Sequence, residues 1–577
     1  MYVGDETMIT NKEIIRLLEQ IAIYMELKGE NPFKISAFRK AANTIETSEE
    51  SLTELEDLTE LPGIGKGTAA VIEEYIKEGK SMVLQELKDE VPKGLIPLLQ
   101  LPGLGGKKIA RLYKELSVEN GEDLKNACLK GEVQALKGFG KKTEEKIMEA
   151  LQNTGTRPER LPIAFMIPIA VSIEEHLAKM EGVVQYSRAG SLRRVRETIK
   201  DLDFIIATDD PNQVKEQLLQ LPSIKEVIGA GSTKVSVILG LDYDVSIDFR
   251  LVKPKEFATT LHHFTGSKEH NVRMRQLAKE RGEKISEYGV ENNETGEVET
   301  FETEEAFYHY FGLPFIPPEI REDGKEVESY SEDSDLISLE DIKGDLHMHT
   351  TASDGAHTLE EMVEANRKLG YQYMAITDHS QYLKVANGLT PDRVRKQIKE
   401  IKRLNAKYED ITILAGAEMD ILPDGTLDYD EDLLKELDIV IASIHSAFSQ
   451  SKDKIMNRLK AAMENKYVDI IAHPTGRKIG KRDGYDVDMK MLIQLAKETN
   501  TVLELNSNPN RLDLNATYVK MAQDAEVKIV INTDAHYKHE LHNMAMGVST
   551  AKKGWIKKST VLNAMSKEEL LAFLYKG

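Results

Sequence analysis

The sequence predicts a multidomain protein with an all-α N-terminal region, an α+β core and a C-terminal domain in which strands alternate with helices. Three observations lead there. A chain of 577 residues is too long for one hydrophobic core, and at roughly 100 to 200 residues per domain it should hold three to five. A Gly-x-Gly turn between helical segments occurs three times before residue 155. Beyond residue 343, histidines and carboxylates recur just after short apolar runs.

Composition narrows the setting. No stretch approaches a membrane span, and the first residues lack a basic, apolar, small-residue signal pattern, so a cytoplasmic protein is expected. The single cysteine, Cys128, excludes an intramolecular disulfide and a cysteine-built zinc site. A net charge of −21 opposes contact with phosphate, but the acidity is concentrated in segments such as Glu46 to Glu60 and Arg321 to Asp341, and metal sites need carboxylates too. Modest, salt-sensitive DNA affinity is therefore expected.

Residues 1–95 read as helical because Ile14, Leu17, Leu18, Ile21 and Met25 recur at helical spacing, and Lys34 to Ile45 continues the pattern. Leu61-Pro62-Gly63-Ile64-Gly65 then forms a turn. It returns as Leu101-Pro102-Gly103-Leu104-Gly105 and as Leu136-Lys137-Gly138-Phe139-Gly140, placing a second helical region at 96–155. Copies about 35 to 40 residues apart are a poor match for chance. Lys66, Lys107, Lys108, Lys141 and Lys142 follow directly. The turns resemble helix-hairpin-helix motifs, so the N-terminal fold class is an all-α helix-hairpin-helix region. Glycine amides at a helix start face a phosphate with no side chain in the way, which makes Gly63, Gly65, Gly103, Gly105, Gly138 and Gly140 candidate DNA contacts. The first 95 residues also resemble the lyase domain of polymerase beta, on Phe38-Arg39-Lys40-Ala41-Ala42 and the first hairpin. Val71 stands where that family has its imine-forming lysine, and Phe33, Phe38 and Gly67 replace residues that usually handle the sugar phosphate. Valine forms no imine, so lyase action at this site is not expected, while Lys34 remains a candidate for a 5′ phosphate.

Residues 156–318 carry the first chemistry. In Gly190-Ser191-Leu192-Arg193-Arg194, glycine admits a phosphate close to the backbone, serine adds a hydroxyl donor, and the arginines offer planar forks. Asp201 and Asp203 stand two apart before the apolar run Phe204-Ile205-Ile206, so on a strand they share a face. Asp248 is the candidate third carboxylate, on a strand from Val245 to Leu251 whose Ser246, Asp248 and Arg250 share a face; Asp242 and Asp244 compete on spacing alone. With Phe264-Thr265-Gly266-Ser267, this order resembles the nucleotidyltransferase core of X-family DNA polymerases, the polymerase beta type. The resemblance implies an α+β nucleotidyltransferase core in which Asp201, Asp203 and Asp248 hold Mg²⁺ or Mn²⁺. It also implies that Gly190, Ser191 and Arg194 bind a deoxynucleoside triphosphate and that Phe264, Gly266 and Asn271 line its sugar and base. His263 replaces the family's tyrosine, so discrimination against ribonucleotides does not carry over.

Residues 319–342 read as an acidic linker: nine acidic and two basic residues lie between Arg321 and Asp341, with almost no apolar periodicity, so a solvated segment is expected. From 343 to 577 the candidate ligands are His347, His349, Asp354, His379, Glu418, His445, His473, Asp534 and His536. Most follow apolar runs, namely Met374 to Ile376, Ile411 to Leu414, Ile439 to Ala442, Ile470 to Ala472 and Ile529 to Ile531, which puts them at the C-terminal ends of parallel strands. Imidazoles and carboxylates without thiols suit Mn²⁺, Zn²⁺ or Fe²⁺, and a bridged cluster can supply hydroxide near neutral pH. The set resembles the polymerase and histidinol phosphatase (PHP) domain, which implies a distorted (β/α)7 barrel with two or three metal ions on those nine ligands. His357, His539 and His542 fall outside its motifs; Arg477, in His473-Pro-Thr-Gly-Arg477, is a candidate for a substrate phosphate or for a structural ion pair.

Together the resemblances imply a repair polymerase acting as a monomer on gapped or primer-template DNA, with a Mn²⁺-favoured 3′-to-5′ exonuclease or 3′-end phosphoesterase. The competing readings are a phosphatase of small phosphate esters on an inert polymerase-like scaffold, and a pure DNA-binding module.

Overall fold

The computed structural model describes residues 11–47, 57–61, 63–101, 104–154 and 159–575. The chain divides into two compact units, one of residues 1–158 with Lys384–Asn387 and one of the remainder.

In the first unit, helices Asn11–Lys28, Pro32–Thr47, Lys66–Glu78 and Met82–Glu90 share one apolar core. Gly106–Leu116, Gly121–Leu129 and Lys141–Thr154 share a second. The predicted stripe Ile14, Leu17, Leu18, Ile21 and Met25 lies in the first core, and so does Val71, whose position is taken up by packing. The repeat has a structural logic. Its middle residues Ile64, Leu104 and Phe139 are buried, while Gly65, Gly105 and Gly140 beside them are exposed, so each turn is pinned by an apolar side chain and presents a bare backbone.

The second unit begins with β1 (Leu161–Pro162), β2 (Gln185–Arg188), β3 (Thr198–Ile199), β4 (Leu202–Ala207), β5 (Ile224–Ala230), β6 (Lys234–Gly240) and β7 (Asp244–Val252). β1 pairs with β3, and the others form a sheet ordered β2-β4-β7-β6-β5 in which only β4 and β7 run parallel. Phe204 and Ile206 of β4 share a core with helices Ile163–Leu177 and Pro211–Leu218. On the other face Ile205 and Ala207 meet Phe257 and Leu261 of helix Phe257–Thr265. Asp203 falls in step with Ile205, and Asp248 is its partner across the β4–β7 ladder, so both carboxylates emerge on that second face. Burial alternates along β7 as expected, with Ser246, Asp248 and Arg250 on the more open side.

A small subdomain follows, with helices Lys268–Glu280 and Glu304–Tyr310 and the antiparallel strands β8 (Glu283–Ser286), β9 (Gly289–Asn292) and β10 (Val298–Glu299). The expected solvated linker is corrected here. Arg321 is 0% exposed, bonded to Glu304 and to the Ile316 carbonyl, while Glu326 is buried against His270 Nδ1 at 2.6 Å. Val327 joins the subdomain core and Ile337 the barrel core. Of the acidic residues that suggested solvation, Glu326 is the buried partner of an internal imidazole and Glu322 pairs with Arg196 and Lys553, which a periodicity argument cannot see.

The C-terminal strands β11 (Gly344–Asp345), β12 (Tyr373–Ile376), β13 (Thr412–Asp420), β14 (Ile439–Ser443), β15 (Ile470–Ile471), β16 (Val502–Asn506) and β17 (Ile529–Asn532) are all parallel and ordered as in the chain. Past their ends, Asp534 N–H donates to the His347 carbonyl and His349 N–H to the Ala535 carbonyl, both at 2.9 Å, which brings the last strand back to the first. The interior is filled by Leu346, Tyr373, Ile441 and Val530, with Leu562 and Leu570 from the closing segment. That matches the predicted seven-stranded barrel.

Candidate metal centres and nucleic-acid interface

The barrel brings all nine predicted ligands together. Three overlapping groups have their ligand atoms within 4.8 Å of one another: His349, Asp354, His379 and His536; His347, His349, Glu418 and Asp534; and His379, Glu418 and His445. His473 joins through Nε2, 2.9 Å from Glu418 Oε1. Glu418 is the hub, its Oε2 within 3.0 to 3.5 Å of His379, His347 and His349 and its Oε1 3.2 Å from His445. Two ligands stand on left-handed backbone, His473 at φ +29° and Asp534 at φ +55°, a conformation that persists only where surrounding structure imposes it.

A surrounding layer orients the imidazoles. Glu504 Oε1 lies 2.7 Å from His347 Nδ1 and its Oε2 accepts the His473 N–H at 2.7 Å; Asp420 Oδ1 lies 3.2 Å from His445 Nδ1. A proton held on Nδ1 turns the Nε2 lone pair toward the cluster. His347 Nε2, His349 Nδ1, His379 Nδ1 and Glu418 Oε2 are buried without hydrogen bonds, as expected of atoms meant for cations. Burial would raise the Glu418 carboxyl, yet His445, His379 and His347 hold it well below its ordinary range. Burial opposes protonation of His445, but Glu418 and Asp420 push it up to about 10. Burial, with His536 and His379 alongside, brings His349 down to about 4. The donor set therefore fits divalent ions, whose binding would displace the protons that the ionised carboxylates now hold on imidazoles such as His445.

The core site is less tightly gathered. Gly190 at φ +60° passes so close to Asp203 that a Cβ there would stand 2.2 Å from Oδ2, so only glycine fits. Burial, then Asp201 and Asp248, raises the Asp203 carboxyl to about 7. Asp248 takes Ser236 Oγ at 2.6 Å and Lys234 Nζ at 2.9 Å. Asp244, the competing candidate, is engaged by Lys225 at 2.7 Å at the far end of β7. Arg194 donates to the Thr265 carbonyl, and a Cβ on Gly266 would meet its guanidinium at 3.1 Å, so these two predicted nucleotide residues adjoin. Phe264 is covered by the Arg250 guanidinium at 4.5 Å. Asn271 donates to the His263 carbonyl at 2.7 Å, while Arg193 is committed to Thr265 and the buried Glu304. Ser191 is half-buried beside them in the chain.

Among the predicted DNA contacts, Gly65 and Gly105 are the N-caps of helices Lys66–Glu78 and Gly106–Leu116, and a Cβ on Gly65, Gly105 or Gly140 would enter open space. Gly63 and Gly138 take φ +99° and +89°, making the turns themselves. Gly103 lies outside the described residues. Arg477 proves to be an ion pair: its guanidinium holds Glu197 of the core at 2.7 and 3.1 Å. Sequence reasoning missed β16 and with it Glu504, although Val502-Leu-Glu-Leu-Asn506 reads as a buried strand, and it missed Arg511, whose Nε stands 3.6 Å from Asp534 Oδ2.

Family models match a helix-hairpin-helix domain at residues 9–81, a SAM-like helix-hairpin-helix tandem at 95–153, the DNA polymerase beta thumb at 260–322 and a PHP domain at 345–508. The chain is 63% identical to "DNA polymerase/3'-5' exonuclease PolX" of Bacillus subtilis (strain 168) over 566 residues, 98% of this chain and 99% of that protein. It is 33% identical over 230 residues to a "Probable phosphatase" of Thermoanaerobacter sp. (strain X514), covering 38% of this chain and 89% of the relative. A "Probable phosphatase" of Shewanella sediminis is 28% identical over 242 residues, 40% and 93% respectively. With a polymerase beta thumb, paired helix-hairpin-helix regions and a PHP barrel in one chain, the protein belongs to the X-family DNA polymerases that carry a C-terminal PHP domain.

Proposed function

We infer that the chain is a DNA-directed DNA polymerase that fills short gaps during repair and carries a 3′-to-5′ exonuclease in its barrel. The observation that carries this reading is the presence, in one chain, of two separate carboxylate-bearing sites, one on β4 and β7 and one on Glu418 and its imidazoles.

In the core, Asp201, Asp203 and Asp248 would hold Mg²⁺ or Mn²⁺. Such ions neutralise the triphosphate and favour the ionised 3′ hydroxyl for in-line attack at the α-phosphate. Gly190 and Ser191 approach the phosphates and Arg194 pairs with them from its seat against Thr265. Phe264, Gly266 and Asn271 lie along the sugar and base of the deoxynucleoside triphosphate. The exposed glycine turns Gly63, Gly65, Gly103, Gly105, Gly138 and Gly140 engage the backbone of gapped or primer-template DNA. In the barrel, two or three Mn²⁺, Zn²⁺ or Fe ions on the nine ligands would supply hydroxide to the terminal phosphodiester. Glu504 and Asp420 hold the imidazole protons away from that centre. The protein acts as a cytoplasmic monomer.

The test is a time course on a one-nucleotide-gapped duplex with Mn²⁺, comparing wild type with Asp203→Ala and His347→Ala. The first variant should lose extension and keep 3′-end degradation; the second should do the reverse. Retained extension by Asp203→Ala overturns the core assignment. The likeness to phosphatases supports a second reading, in which small phosphate esters are the main substrates. Faster turnover of histidinol phosphate than of DNA ends would favour it.

A further inference from the structure

The loop after β16 leaves the barrel and enters the polymerase core. Leu512 is 1% exposed and belongs to the same apolar cluster as Ile163, Leu192 and Val195, with its backbone at φ +41°. Arg477 fastens the same loop, its Nε–H donating to the Arg511 carbonyl at 3.0 Å and a terminal nitrogen to the Leu512 carbonyl. The other edge of that guanidinium is the bidentate pair with Glu197, three residues beyond Arg194. Both anchors of the loop thus reach the core, Leu512 directly and Arg477 through Glu197. Between them stands Arg511, 14% exposed at the side chain, with Nε 3.6 Å from the ligand Asp534. A planar guanidinium that meets a carboxylate through Nε keeps terminal nitrogens spaced for two phosphate oxygens.

We propose that Arg511 grips the phosphate of the DNA 3′ terminus at the barrel site, and that Glu197 of the polymerase core is a positioning residue that holds Arg511 there through Arg477. The hydrolytic centre is then complete only when the core is docked on the barrel. The proposal rests on the hydrolytic reading of the barrel.

Its test uses the full-length protein with Mn²⁺ on a 3′-recessed duplex, measuring kcat and KM for 3′ nucleotide release, with Mn²⁺ binding followed by electron paramagnetic resonance. Arg511→Ala should lower kcat/KM by about tenfold or more, Arg511→Lys should restore part of it, and Mn²⁺ stoichiometry should be unchanged. Glu197→Gln should cost about threefold to tenfold in the wild-type background and nothing further in the Arg511→Ala background, because it acts through that side chain. Full activity of Glu197→Gln, additive losses in the double variant, or loss of Mn²⁺ from Arg511→Ala would each overturn the proposal. A wild type that binds Mn²⁺ yet releases no 3′ nucleotide overturns the hydrolytic reading itself, and the proposal falls with it.

Discussion

Glu504 Oε1 lies 2.7 Å from His347 Nδ1, and both side chains are fully buried. The same carboxylate takes the His473 N–H and an Asn532 amide, so one residue of β16 holds two candidate ligands that follow β11 and β15. Glu504→Ala should lower Mn²⁺ affinity and 3′-end hydrolysis by about 10- to 100-fold, with DNA extension unchanged. Glu504→Gln should fall between, since an amide oxygen still accepts but no longer carries charge. Metal titration and a gel time course check both. An alanine variant with unaltered metal affinity would show that His347 needs no such partner.

Exposed helix-start glycines give a prediction that separates folding from binding. A side chain at Gly65, Gly105 or Gly140 enters open space, and the backbone angles at Gly65 and Gly105 are extended, so valine should be accommodated. The triple valine variant should melt within a few degrees of wild type, while its DNA affinity falls by about tenfold or more and its dependence on salt becomes shallower. Gly63→Ala should behave differently: at φ +99°, with Thr44 Oγ1 2.8 Å from the added carbon, it should destabilise the first helical region. Thermal melts and fluorescence anisotropy at two salt concentrations make the comparison.

Arg321 is 0% exposed and shares Glu304 with Arg193. Arg321→Ala leaves that buried carboxylate with one cation and opens space beside Tyr308 and Phe315. A loss of about 3 to 5 kcal/mol in the stability of this subdomain is expected, read by urea unfolding. Extension should weaken as well, because Arg193 and Arg194 lie at the same seam. An unchanged midpoint would mean that the segment after residue 320 is the solvated linker its composition suggests.

Asp469 supplies a pH dependence. Its carboxylate accepts the Val440 N–H at 2.8 Å, and burial pushes it up to about 7 from an ordinary 3.8. In the fold it stays protonated below that value, whereas in the unfolded chain it ionises near 4. Its contribution is therefore fully present below about pH 4, declines as pH rises toward 7, and is absent above. Asp469→Asn keeps an acceptor for Val440 without the charge. The variant should be more stable than wild type at pH 8, by about 1 to 4 kcal/mol, and closely similar at pH 4. Equal melting temperatures at pH 8 would place the carboxylate in a more polar setting than the structure shows.

Much of the site was legible because each motif carries a local mechanism. The Asp-Leu-Asp spacing at the mouth of an apolar run points to Asp203 on a strand, and the structure places Asp203 on β4 with Asp201 one residue before it. The histidines after apolar runs announced strand ends. Glu504 lay equally open on a strand, but a lone glutamate between leucines states no chemistry until its neighbours across the barrel are known. The region after residue 320 was misread because its apolar residues follow no period: Val327 and Ile337 pack singly into two different cores.

The sequence by itself determined the fold classes of the helical, core and barrel regions and the repeated glycine turns, and it singled out the core carboxylates and the nine candidate barrel ligands, since these depend on residue type at short spacing along one element. Only the tertiary structure decided that Asp248 rather than Asp244 partners Asp203, that Arg477 holds Glu197, and that Leu512 seats the Arg511 loop in the polymerase core. Those relationships join residues far apart in the chain, 280 positions for Arg477 and Glu197. Strand register and domain docking set them, and both are minimised over the whole folded chain, so no local pattern records them.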